Sequence, residues 1–270
     1  MSPMTYKYMN VSVENGVGIL QLNHPEKRNA LGWELHEDIC TQLAAWAYDD
    51  EVAAVLFIGN EDYFCSGWAL DVLQGTGTAQ TGSDERTRFV ELATKLMVAI
   101  YDYRKPTVAA VAGVAPGYGL DVANMCDVTI ASENAAFGST QVKYAMNGFY
   151  HALERKVGAQ NARRLYFTGD PIPAAEALRI GLVSEVVPVG TLRENALRVA
   201  KQIAEAGPEL LTVLKEVALR AGHMDPVGAL NYELRVTADL VSRDLFTRRI
   251  EDGLARLRAG QSKATERLAR

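Results

Sequence analysis

The chain has 270 residues, with 33 acidic against 28 basic side chains and a formal net charge of −5 at pH 7; this argues against a dedicated nucleic-acid binder. No run of ~18 apolar residues offers a membrane span, and the N-terminal MSPMTYKYMNVSVENG lacks the apolar core of a signal peptide. Cys40, Cys65 and Cys126 are too few and too widely spaced for a disulfide framework or a metal cluster.

A soluble cytoplasmic protein is therefore expected, large enough to bury roughly three quarters of its unfolded surface. Residues 11–13 and 17–23 read as a hairpin, with Asn15-Gly16 supplying the turn. HPEKRNAL (24–31) follows as a loop. Leu31, Leu35, Ile39, Leu43 and Trp46 then recur at the spacing of an amphipathic helix over 32–48. Residues 52–58 read as a buried strand, 59–67 as a loop and 68–73 as a short helix. The stretch QGTGTAQTGS (74–83) reads as a mobile surface loop. A helix over 85–103 places Phe89, Leu92, Leu96 and Ile100 on one face. An apolar strand over 107–114 runs into the turn Pro116-Gly117-Tyr118-Gly119, and a helix follows over 120–125 with Asp121 in its first turn. Strand 128–131, helices 159–167 and 174–180, and strand 182–187 complete the alternation. Beyond it lie helices over 191–206, 208–221 and 226–245 and a helical end from Thr247. Strands alternating with helices, then helices alone, indicate an α/β core with a helical tail.

The chemistry concentrates in 113–141, GVAPGYGLDVANMCDVTIASENAAFGSTQ. Gly117 and Gly119 permit a turn that side chains forbid. A helix that begins there leaves its first N–H groups without internal partners. Backbone donors beside a carboxylate suit stabilising an oxyanion while moving a proton.

Several motifs, in order, resemble the crotonase (enoyl-CoA hydratase/isomerase) superfamily over roughly residues 8–258. HPEKRNAL is similar to the family's acyl-CoA loop, DYFCSGWALDVL (62–73) to its first oxyanion segment, and KPTVAAVAGVAPGYGLDVANMCDVTIASENAAFG to its second. YFTGDPIPAAEALRIGLVSEVVP (166–188) resembles the segment after the active site, and RRIEDGLARL the family's C-terminal helix. The resemblance implies a crotonase-like ββα spiral core over 1–195, holding an oxyanion hole and an acyl-CoA site. Over 196–270 it implies a C-terminal helical region for oligomerisation or as a lid, in a homotrimer or a dimer of trimers. It further implies an acyl-CoA thioester as substrate, with coenzyme A present only as part of that substrate and no other cofactor. The oxyanion-hole donors would be the backbone N–H groups of Trp68 and Tyr118, and Asp121 and Gln141 would be the catalytic pair. Lys27, Arg28, Ala30, Gly67, Leu70, Gly117, Tyr144, Phe149, Tyr150 and His151 would contact substrate.

Where typical hydratases of the family carry two glutamates, this chain has Asp121 and Gln141. Gln141 cannot take a proton at neutral pH, yet can hold a water or a substrate oxygen. Asp121 can alternatively be a dipole-favoured residue of a first helical turn. The family's Gly-Ala-Asp is here Gly67-Trp68-Ala69-Leu70-Asp71, with the aspartate displaced by two positions. An enolate-forming hydratase or isomerase is the first expectation. Carbon–carbon hydrolysis, decarboxylation or thioester hydrolysis of a bulky or cyclic acyl-CoA or β-diketone is the second, and a non-catalytic CoA-ester-binding subunit the third. His151 suits proton transfer as an imidazole, but a structural role competes. His24, His36 and His223 are expected at the surface, and Cys65 as a small buried residue. Gly117-Tyr118-Gly119 lacks the third glycine of a dinucleotide fingerprint, and Phe64 replaces the leading glycine of a nucleophile elbow.

Overall fold

The computed structural model describes residues 5–76 and 83–259. Asn15 and Gly16 both take positive φ, 51° and 80°, as a type I′ hairpin requires. They join β1 (Met9–Glu14) antiparallel to β2 (Val17–Leu22). Next to β2 lie β3 (Ala54–Ile58), β4 (Thr107–Val111), β6 (Val128–Ser132) and β9 (Glu185–Val187), all parallel, in the order β1-β2-β3-β4-β6-β9. A parallel sheet must be covered on both faces, and alternation along each strand divides the work. Val55 and Phe57 join the cluster of Leu35, Ile39 and Leu43 from α1 (Trp33–Trp46). Leu56 and Ile58 join Leu192, Ala196 and Ala200 from α7 (Leu192–Ala204). The helix α7, which the sequence reading assigned largely to the C-terminal region, thus packs on the sheet. The chain divides into the compact units Met1–Thr212 and Val213–Arg270.

The apolar run 107–114 is not one strand. Gly113 takes φ +58°, and a Cβ there would lie 1.6 Å from the Asp62 carbonyl oxygen, so the chain turns at this glycine. It leaves the large sheet and enters a small one of β5 (Val114–Pro116), β7 (Ala136–Gly138) and β8 (Ile172–Pro173). Pro116 then leads directly into α4 (Tyr118–Met125), all of whose residues are buried.

The expected loop over 74–83 is reduced. Its first three residues complete α2 (Leu70–Thr76), its last opens α3 (Ser83–Tyr101), and 77–82 lie outside the described residues. The helix expected from Ala159 begins earlier, as α5 (Tyr150–Thr168). It breaks at Gly158, where φ is 73°; the sequence reading recovered only the part after that glycine. Next comes α6 (Ala174–Arg179). After α8 (Pro208–Ala221), the two helices expected over 226–245 and from Thr247 are α9 (Pro226–Val241) and α10 (Asp244–Arg258), with the break between them a few residues earlier than expected. The Asp225 carboxylate caps α9 by accepting from the Val227 and Gly228 N–H groups at 3.1 and 3.0 Å. Among the described residues no helix is long and apolar enough to cross a membrane.

Candidate active site

The loop 24–31 is laced to the segment before α2. Asn29, fully buried, accepts from the His24 N–H at 2.8 Å and donates to the Phe64 carbonyl at 3.0 Å. Arg28 and Asn29 take positive φ (50° and 56°) to make that turn. Ser66 N–H donates to the Arg28 carbonyl, Leu31 N–H to the Gly67 carbonyl and Ala69 N–H to the Leu31 carbonyl, at 3.1, 2.8 and 3.1 Å. In an extended bridge, the groups of alternate residues face opposite sides. With Gly67 C=O and Ala69 N–H turned toward Leu31, the Trp68 N–H faces away from it.

Across from this segment stands the start of α4. Gly117 takes φ 54°, ψ −119° and anchors itself through its N–H on the Gly138 carbonyl at 2.7 Å. The Gly117 carbonyl accepts from the Asp121 N–H at 3.1 Å, so the Tyr118 N–H precedes the first helical bond. Two glycines allow the segments to meet. A Cβ on Gly119 would fall 2.0 Å from the Cys65 carbonyl oxygen, and one on Gly67 would fall 3.5 Å from the Tyr118 nitrogen. Among the described residues neither the Trp68 nor the Tyr118 N–H meets a protein acceptor.

The side chains of these two residues form a packed aromatic cluster. The Trp68 ring stacks on His36 at 4.0 Å and lies 4.4 Å from Phe89 and 5.2 Å from Tyr118. His36 was expected at the surface and is fully buried. Burial lowers its pKa to about 4, so the ring is neutral and Nδ1–H donates to the Gly32 carbonyl at 2.8 Å. His24 is also buried, stacked on Tyr8 at 3.9 Å. Cys65 is fully buried, as expected, and burial pushes its thiol up to about 12.

Asp121 is 3% exposed. Burial pushes its carboxyl up to about 7, against the opposing pull of hydrogen bonds from the Phe149 N–H and the Gln141 amide. The Gln141 Nε2 donates to Asp121 Oδ2 at 2.6 Å, and its Oε1 accepts from Ser139 Oγ at 3.3 Å. Gly148 packs on the same amide: a Cβ there would lie 3.0 Å from both Cδ and Nε2 of Gln141. Neither Ser139 nor Gly148 was singled out as a partner of Gln141, because residue type alone does not reveal which way an amide points.

A cavity of about 740 Å3 opens beside these groups. Lys27, Arg28, Ala30, Gly67, Trp68, Leu70, Gly117, Tyr118, Gln141 and Tyr144 border it, together with Ser66, Thr140 and Met146, which the sequence reading had not named. Lys27 donates to Asp71 at 2.7 Å at its edge, and that bond holds the Asp71 carboxyl below the usual range. Asp121 does not border the cavity; it sits one hydrogen bond behind Gln141. Phe149, Tyr150 and His151 do not border it either. Phe149 serves Asp121 through its backbone, Tyr150 OH donates to Glu154 Oε1 at 3.2 Å, and His151 is exposed on α5. Among the described residues no group of three His, Cys, Asp or Glu side chains could hold a metal. Two unused backbone donors beside a buried acid can together stabilise an oxyanion and move a proton.

Residues 12–255 match the family described as Enoyl-CoA hydratase/isomerase. The chain is 34% identical over 222 residues to the 2,3-dehydroadipyl-CoA hydratase of Escherichia coli, covering 78% of this chain and 84% of that one. It is 32% identical over 235 residues to the short-chain-enoyl-CoA hydratase of Clostridium acetobutylicum, covering 86% and 88%. Among solved structures it is similar to an enoyl-CoA hydratase from Bacillus anthracis, with a TM-score of 0.85 and 27% identity, covering 94% of this chain and 97% of that one.

Proposed function

The chain belongs to the enoyl-CoA hydratase/isomerase family, and we propose on that footing that it converts an acyl-CoA thioester through an enolate. The thioester carbonyl oxygen would lie between the Trp68 and Tyr118 N–H groups, and Asp121 would carry the proton once the Gln141 amide that screens it from the cavity moves aside. The observation that supports this most is the pairing of two unused backbone donors with an acid that burial holds near neutrality. A carboxyl with that pKa can both take and return a proton near pH 7. Each donor of such a hole is typically worth about 3–4 kcal/mol of transition-state stabilisation, and no cofactor beyond the substrate's own coenzyme A is needed. Lys27 and Arg28 stand at the cavity edge where the nucleotide phosphates of coenzyme A would find cations.

Assembly as a homotrimer or dimer of trimers is part of the proposal. Leu230 and Leu234 on α9 are 59% and 65% exposed, and Leu257 on α10 is 65% exposed, which is apolar surface suited to an interface. Replacing Asp121 by asparagine tests the proposed role of this residue. Turnover should fall by about 10²–10⁴-fold while the thioester still raises the melting temperature. Turnover undiminished in that variant would contradict the role given to Asp121.

A further inference from the structure

An asparagine amide reacts most readily with its own backbone when glycine follows, because a residue without Cβ leaves its nitrogen open to reach the side-chain carbonyl. The chain holds two such pairs, Asn15-Gly16 and Asn147-Gly148, and the fold treats them differently. Asn15-Gly16 is the turn of the β1–β2 hairpin, closed by the pairing of Glu14 with Val17, and a ring formed there would have to bend that ladder. Asn147 lies in the irregular stretch between Ala145 and α5, and is exposed. Among the described residues the Gly148 N–H meets no acceptor, so no hydrogen bond has to break to free its nitrogen. Asn147 Oδ1 accepts from the Tyr166 hydroxyl, which draws electron density away from the side-chain carbonyl carbon. Nucleophile, electrophile and polarising donor therefore stand together.

We infer that Asn147-Gly148 is a self-modification site, at which the Asn147 amide is lost by ring closure and hydrolysis. The Gly148 nitrogen gives its proton to solvent base and attacks Cγ of Asn147. The new N–Cγ bond forms as the Cγ–Nδ2 bond breaks, and ammonia leaves with a proton taken from water. Water then opens the five-membered imide at one of its two carbonyls. Opening at Cγ leaves an aspartate with the original peptide link; opening at the main-chain carbonyl leaves an isoaspartate, with the chain running through Cβ and Cγ. The sum is amide plus water to carboxylate plus ammonium, with no oxidant or reductant. The consequence reaches the interior. Gly148 packs on the Gln141 amide, and the Phe149 N–H bonds the Asp121 carboxyl. An isoaspartyl link adds a backbone atom directly before Gly148, which drives it against Gln141 and draws the Phe149 N–H from Asp121. The chemistry at Asn147 is independent of the enolate function proposed above.

The test incubates the full-length protein at mildly alkaline pH and samples it over days. Peptides containing Asn15 and Asn147 are followed by mass spectrometry, with fragmentation that separates aspartate from isoaspartate. Asn147 should convert roughly tenfold faster than Asn15, giving both products, at a rate that rises with pH; in denatured chain the two should convert alike. Conversion of Asn147 no faster than Asn15 in folded protein would overturn the inference. The melting temperature should fall in step with conversion. Asn147→Gln keeps an amide but demands a larger ring, so the aged variant should hold its melting temperature; a fall equal to that of the wild type would overturn the link between modification and loosening. Tyr166→Phe keeps the ring that packs 5.3 Å from Tyr150 and removes the hydroxyl. It should slow conversion roughly fivefold, and an unchanged or faster rate would overturn the part given to Tyr166.

Discussion

At the residue scale, Asp121 makes a prediction about stability as well as rate. Its carboxyl lies near 7 in the folded protein, above the ordinary 3.8. Between those values the folded state binds the proton more tightly than the unfolded chain does. The stabilisation from this group is therefore complete below about pH 4 and is lost as pH rises through about 7, with a slope of up to about 1.4 kcal/mol per pH unit. In Asp121→Asn that slope is absent. Thermal unfolding should show the variant gaining on the wild type from about pH 4 to 7 and holding a constant lead above; a constant difference across that range would contradict the burial of the charge. Turnover that starts with proton removal should rise over the same interval, because the ionised form is the base. The glycine turn that opens α4, with Asp121 in its first turn, was legible in the sequence because a Gly-rich turn before a helix has few uses, whereas the roles given to the Trp68 and Tyr118 N–H groups came from the family resemblance. The Gln141–Asp121 bond was not legible, since it joins side chains 20 residues apart. The buried stacking of His36 on Trp68 likewise depends on tertiary placement.

At the element scale, the site exists because the segment ending at Trp68 and the start of α4 approach closely, and two glycines allow it to different degrees. A methyl on Gly119 would enter the Cys65 carbonyl at 2.0 Å, so Gly119→Ala must force the two segments apart and should yield little folded protein. At Gly67 the nearest atom would be the Pro116 carbonyl oxygen at 3.2 Å, and φ is +92°. Gly67→Ala should fold with a loss of roughly 1 kcal/mol and lower kcat by about 10²-fold, by crowding the Tyr118 donor. Activity surviving at the wild-type level in folded Gly67→Ala would argue against the hole. Elsewhere, Lys105 closes the end of α1 by donating to the Trp46 and Asp49 carbonyls at 2.5 and 2.6 Å. Lys105→Met should cost about 1.5–3 kcal/mol in chemical denaturation without touching the cavity. Periodicity located most of these elements, because burial of one helix face or of whole parallel strands marks the sequence directly. It failed where a long-range contact decided the local shape. Gly113 bends the strand because of Asp62, and the helical stretch 150–157 was lost to sight behind Gly158.

At the scale of the whole molecule, the net charge of −5 opposes a polyanionic coenzyme A tail, so local cations must carry its binding. If Lys27 contacts the coenzyme A phosphates as proposed, Lys27→Ala should raise KM roughly tenfold with kcat little changed, because such a contact would be the same in ground and transition states. If the exposed apolar residues of α9 and α10 are interface, light scattering will give three or six times the 29.5 kDa chain mass, and a concentration-independent monomer would refute the assembly. The most direct test of the central claim, an enolate formed in the backbone hole by Asp121, uses a saturated acyl-CoA thioester that cannot turn over. Incubated with the protein in deuterated water and followed by NMR, its α-carbon should acquire deuterium with the wild type and not with Asp121→Asn. Exchange that persists in the variant would contradict Asp121 as the base, and a wild type that binds the thioester without exchange would contradict the enolate itself.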